Sequence, residues 1–161
     1  MPRLPDFLDQ ARRITTGDPW YGDPILTVLA GVTHEQAAAR PIPNAHSIWE
    51  LVLHMQSWVR EVTRRLRVGR WQEPADGDWP TPPLPSAENW RKAMADLEQA
   101  HRELQAALET FSEQRLDEQV GQERNQALGT GVTFAQMLHG ILQHDAYHLG
   151  QIGLLKKAHK E

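Results

Sequence analysis

The stretch TFAQMLHGILQHDAYHLGQIGLLKKA, residues 133–158, decides the fold. Thr133 and Gln136 have the spacing of a capping box, in which each side chain takes up a backbone N–H left free at a helix start. Behind that cap, Phe134, Met137, Leu138, Ile141, Leu149, Ile152 and Leu155 recur at helical spacing. Lys156, Lys157 and Lys160 lie near the far end, where cations complement the helix dipole. The pattern predicts one long helix over Phe134 to about Ala158 with a single buried stripe.

Such a stripe needs partners, and the rest of the chain supplies three more. Ser47 and Glu50 form a second capping box and open a helix to about Val68. Its stripe is Ile48, Leu51, Val52, Met55, Val59, Val62 and Leu66, with Arg60, Arg64 and Arg67 opposite. Ser86 caps a third helix to about Phe111, carrying Trp90, Met94, Leu97, Leu104 and Leu108. Leu4 to Thr16 repeats the pattern with Phe7, Leu8, Ala11 and Ile14. Gly17-Asp18-Pro19 interrupts it. Asp23 as N-cap and Pro24 at the first helical position predict a short continuation to Ala30. Thr33 with Gln36 predicts one more helical turn.

Residues 69–85 hold five prolines and read as a long loop, pinned to the helices by Trp71 and Trp79. The polar stretch 112–131 also reads as loop, and no segment shows strand alternation. The expected fold is therefore all-α, a four-helix bundle in one domain spanning residues 1–161.

Composition narrows the function. With 161 residues and 40% hydrophobic side chains, the chain can bury a core. A net charge of −4 argues against binding a phosphate backbone, so no nucleic-acid partner is expected. No apolar run approaches ~18 residues, so no membrane span is expected either. The opening residues lack the apolar core of a signal peptide, and the expected location is the cytoplasm. Cysteine is absent, which removes disulfides, thiolate metal sites and a cysteine nucleophile. Any metal must be held by His and carboxylate.

Eight histidines are many for this length. His144 and His148 are four apart, so both rings leave one face of the last helix, within its apolar stripe. His54 sits at the edge of the buried stripe of the Ser47-capped helix. A bundle can bring the two stripes together, letting three imidazoles converge with a coordination position left for water or substrate. The plainer reading is that each histidine is a hydrogen-bonded core residue. For an i,i+4 pair this requires two sets of buried polar partners, so both readings stand at this point.

The string His144-Asp145-Ala146-Tyr147-His148 has a zincin-like pattern, but too little chain follows it for a third ligand. A di-iron carboxylate site needs two Glu-x-x-His motifs, and only Glu98–His101 fits. His101, between Leu97 and Leu104, reads first as a buried hydrogen-bonding residue and second as a neighbour of the site. Trp58 lies one turn beyond His54 and is a pocket candidate, as is His101. Trp20 and Tyr21, beside the Gly17 break, can line a pocket mouth. Ala146, Gly150 and Gly153 form a narrow ribbon suited to close approach of another helix, within the chain or from a second copy.

The strings Pro19-Trp20-Tyr21-Gly22, Ala45-His46-Ser47-Ile48-Trp49-Glu50-Leu51-Val52-Leu53-His54 and His144-Asp145-Ala146-Tyr147-His148-Leu149-Gly150-Gln151-Ile152 resemble the DinB/YfiT-like superfamily over nearly the whole chain. The resemblance implies a four-helix bundle, often a homodimer, with a divalent metal on three histidines. Those are here His54, His144 and His148. Zinc and nickel lead, with iron, cobalt or manganese behind them. By helical proximity, Glu50, Asp145 and Gln151 are the candidates to orient the rings.

Relatives of this kind include thiol transferases using bacillithiol, mycothiol or glutathione, and a thiol-dependent isomerase. The implied function is a metal-dependent enzyme that transfers a low-molecular-weight thiol to a small-molecule substrate. The alternatives are a metal-dependent hydrolase and a non-catalytic metal-binding, structural or stress-related protein. The resemblance names no catalytic residue, and Tyr147 is as good a packing residue as a proton donor.

Overall fold

The computed structural model describes residues 3–159. Lys160, expected near the end of the last helix, lies outside them. Four long helices dominate: α1 (Leu4–Thr16), α4 (Ile48–Val68), α5 (Ala87–Thr110) and α6 (Phe134–Ala158). Between the first two lie short helices α2 (Ile25–Leu29) and α3 (His34–Ala38). A 3-10 turn at Glu113–Asp117 and strands β1 (Gln119–Asn125) and β2 (Thr130–Thr133) separate α5 from α6.

The helix starts follow from side-chain chemistry. Ser47, Thr33 and Thr133 each accept from the N3 backbone, and Glu50, Gln36 and Gln136 reach back to the cap N–H. Each such cap is worth about 1 kcal/mol. The α4 helix ends at Gly69, whose φ of 73° is left-handed and open to glycine without strain. The expected start of α2 is corrected. Pro24 is the extended flanking residue rather than the first helical one, and no side chain caps the helix, Asp23 included.

The α4 helix packs on α5 and α6, and α1 packs on the same two. The long helices thus close a ring in the order α1, α5, α4, α6. Two apolar clusters fill it. One holds Val59, Val62, Leu66, Leu104, Leu108 and Phe134, and the other Ile48, Trp49, Met55, Leu97, Leu149 and Ile152. Burying each of the larger side chains contributes about 1.5–3 kcal/mol. Between the clusters, at corresponding heights of α4, α5 and α6, lie the buried polar residues His54, His101, Asp145 and His148.

The expectation of no strands is also corrected. The antiparallel strands β1 and β2 pair Gln119 with Thr133 and Val120 with Val132, then slip so that Asn125 meets Thr130. Gly131, at φ 68°, accommodates the slip. A Cβ there would come within 2.6 Å of the Arg124 backbone. Only Val120 of β1 is buried, so this strand carries no alternation to be read from sequence. Trp71 packs on Gly121 of the hairpin, and Trp79 stacks between His46 and His54. Both tryptophans therefore anchor the long loop.

Candidate metal centre

The histidine His54 on α4 and the pair His144 and His148 on α6 meet between the two apolar clusters. Their ligand-capable nitrogens lie within 4.8 Å of one another. The Nε2 atoms converge: His54 to His144 at 2.8 Å and His148 to His144 at 3.1 Å. Four-coordinate zinc with Zn–N near 2.0–2.1 Å places its ligand nitrogens about 3.3 Å apart. A few tenths of an ångström of opening brings the His144 pairs to that spacing, and the His54 and His148 ligand atoms lie within 4.8 Å of one another.

What lies behind each ring decides which nitrogen is free. The Nδ1 of His54 donates to the Asp78 carbonyl at 2.6 Å, with the Asp78 carboxylate 3.3 Å away. The Nδ1 of His148 donates to Gln151 Oε1 at 2.7 Å. His144 Nδ1 and Asp145 Oδ1 face each other at 3.8 Å, both buried and otherwise unpartnered. The hydrogen bonds at His54 and His148 fix the proton on Nδ1 and turn those Nε2 lone pairs inward, while His144 Nδ1 has only the Asp145 carboxylate nearby. With the His144 proton turned toward Asp145, three Nε2 lone pairs crowd together, an arrangement that a cation among them stabilises. A divalent metal supplies one, and the donor set fits it.

Burial lowers the protonation of the His54 and His148 rings. His148 falls to about 4, with the neighbouring His144 and His54 adding to the effect against the Gln151 hydrogen bond. His54 is lowered mainly by burial. Both are thus neutral at pH 7, the form that ligates a metal.

Behind His144 lies a buried pair. His101 Nδ1 faces the Leu97 carbonyl at 2.9 Å, and its Nε2 faces Asp145 Oδ2 at 3.1 Å. Both partners are acceptors, so both ring nitrogens donate and His101 is an imidazolium. Burial opposes the charge, but Asp145 outweighs it and holds His101 above the ordinary imidazole range. Burial likewise opposes the Asp145 charge, but the His101 hydrogen bond and the nearby His144 hold that carboxylate low.

The three histidines line one end of a cavity of about 480 Å³. Trp58 lines it too, donating from Nε1 to Asp78 at 2.7 Å. The exposed Tyr147 lines it as well, so it reaches solvent. The other sequence candidates lie elsewhere. Trp20 and Tyr21 border a separate cavity of about 400 Å³ beside α1 and α6. His101 is buried behind Asp145. Glu50 serves the α4 cap and pairs with Arg40, away from the rings. Asp78 is the residue sequence reasoning passed over. It sits in the proline-rich loop, and its only local signal is its place beside Trp79.

A sequence model of the DinB superfamily matches residues 23–152, which include all three histidines. No curated protein and no solved structure matches the chain. No described helix is long and apolar enough to cross a membrane. On the family match, and with its three histidines gathered at one point, the chain belongs to the DinB superfamily.

Proposed function

We propose that this chain is a single-domain, DinB-type four-helix bundle that works as a metal-dependent enzyme, joining a low-molecular-weight thiol to a small electrophile. The observation that supports this best is the anchored, inward-facing Nε2 trio at the end of a solvent-reaching cavity. A metal that merely stapled α4 to α6 would need no such cavity. Zinc or nickel suits the three imidazoles best, ahead of iron, cobalt or manganese.

Bound there, a divalent ion supplies a Lewis acid that keeps a thiol deprotonated at neutral pH. The chain has no cysteine, so the thiol comes from a cosubstrate. His54, His144 and His148 stay neutral and present Nε2. The Asp78 carbonyl and Gln151 hold two of the rings in that orientation, and Asp145 faces the third. Trp79 stacks on the His54 ring at 3.8 Å and covers that face. In the reaction a C–S bond forms, the leaving group departs with its electron pair, and the thiol proton passes to solvent.

The test is turnover. Metal-loaded protein is incubated with glutathione, bacillithiol or mycothiol and 1-chloro-2,4-dinitrobenzene, and thioether and chloride are measured. We expect conjugation with at least one thiol, lost on chelation and restored by zinc or nickel. Stoichiometric metal with no turnover for any thiol overturns the transferase reading. Hydrolysis of an ester panel under the same conditions would assign the centre to water activation instead.

A further inference from the structure

The cavity has a second end. Away from the histidines it is lined by Arg124 and Gly129 of the hairpin and by Arg65 of α4. The two arginines differ. Arg65 is buried and paired with Glu61 at 2.7 Å. Arg124 is exposed to the cavity, and among the described residues its hydrogen bonds go only to backbone carbonyls. Its Nη1 donates to Thr130 at 3.1 Å and to Asn125 at 3.3 Å. Those two bonds hold one side of the guanidinium and leave Nη2 and Nε uncommitted. The backbone beneath is fixed as well, because Gly131 lets β2 approach Arg124 more closely than any side chain would allow. Between the ends, the walls are mostly apolar, with Trp58, Val62, Val132, Met137 and Ile141, and Gln136 and Gln126 also line the cavity.

We infer that Arg124 is an anion subsite, and that the cavity takes an elongated ligand with a donor atom at the histidines, an apolar middle and a carboxylate on the Arg124 guanidinium. A carboxylate matches the uncommitted fork of the guanidinium. The surroundings favour it. The whole chain carries −4, yet this end of its cavity holds one guanidinium without a carboxylate partner and a second that is neutralised. The donor end of the inference rests on the proposed metal chemistry. The Arg124 end rests on the hairpin and the cavity alone.

The probes are ω-mercaptoalkanoates and the ω-mercaptoalkanols of equal length, titrated over a range of chain lengths into cobalt-loaded protein. The sulfur-to-cobalt absorption band reports the donor end, and the affinity difference between acid and alcohol reports Arg124. One chain length should bind as the acid about tenfold more tightly than as the alcohol, the gain of one charge-assisted pair. That preference should vanish in R124Q and survive in part in R124K, which keeps the charge if not the fork. A band with no acid preference at any length overturns the subsite and leaves the thiol reading intact. The absence of a band overturns the thiol reading. Simple alkanoates then probe the subsite in metal-free protein through the NMR signal of the Arg124 Nε–H. A saturable shift sustains it, and no shift overturns it. Equal acid preference in wild type and R124Q also overturns it, since the charge then acts from elsewhere.

Discussion

Two turns apart on α4, His54 and Glu61 each enter a buried polar cluster, and the clusters differ in how completely their hydrogen bonds close. Glu61 accepts from Arg65 at 2.7 Å, from Arg64 at 2.8 and 3.0 Å, and from the Gln72 backbone at 3.1 Å. Arg65 and Arg64 give further N–H groups to the carbonyls of Gln72 and Arg70. Donors and acceptors are matched, and the cluster is finished as it stands. Around His54 two of the three Nδ1 atoms are hydrogen-bonded to oxygens, the His144 Nδ1 is not, and three Nε2 atoms crowd together. His144 Nδ1 and Asp145 Oδ1 are left without hydrogen bonds, and the Nε2 atoms leave the cluster open to a cation. A closed network holds structure together, whereas an open one at a cavity wall is suited to hold a ligand.

The largest expected effect breaks the closed cluster. Removing one partner of a buried ion pair strands the other's charge, at a cost of about 3–5 kcal/mol. Glu61→Ala should lower the unfolding free energy by that amount in urea titrations. A loss below about 1 kcal/mol would show that Arg65 finds another partner or that water reaches it.

A smaller effect sharpens the open cluster. Gln151 holds the His148 ring from behind, and removing such a partner costs about 10–100-fold in metal affinity. Gln151→Leu should weaken zinc binding by that factor in a chelator competition while leaving metal-free stability nearly unchanged. Unaltered affinity would mean that packing against Trp79 and Tyr147 already fixes the ring.

The smallest effect is a pH dependence. Burial alone would raise the Glu61 carboxyl, but the hydrogen bonds from Arg64, Arg65 and Gln72 prevail and hold it below the usual carboxylate range. Its contribution to stability is therefore full above the ordinary glutamate value and is lost as pH falls through the lowered one. Wild type should lose stability across that acid range more steeply than Glu61→Gln, compared at matched salt. Parallel curves would remove Glu61 from the acid response.

The helices and the three histidines were legible because both rest on one period. Stripes at 3.6 residues placed His144 and His148 together on a buried face and put His54 on the facing helix. Gln151 and Asp145, on the same helix as two of the rings, could be found by spacing. Three features were not legible. Strand β1 is exposed at most positions, so no apolar alternation marks it. Asp78 reaches His54 through the fold of a long loop, which no local pattern encodes. Arg65 reads as one arginine among several on α4, and its burial depends on the loop and hairpin closing over it. Glu50 shows the converse. Its helical distance from His54 suggested a role behind the ring, but the cap and Arg40 take up its carboxylate.

Metal content decides whether the Nε2 trio of His54, His144 and His148 is a metal centre. Elemental analysis of tag-free wild type beside His148→Ala should find near-stoichiometric divalent metal in the first and almost none in the second. The mutant's helical circular dichroism should be unchanged. Wild-type protein that retains no metal after exposure to zinc, nickel and iron, or a mutant that retains as much as wild type, would contradict a metal centre there.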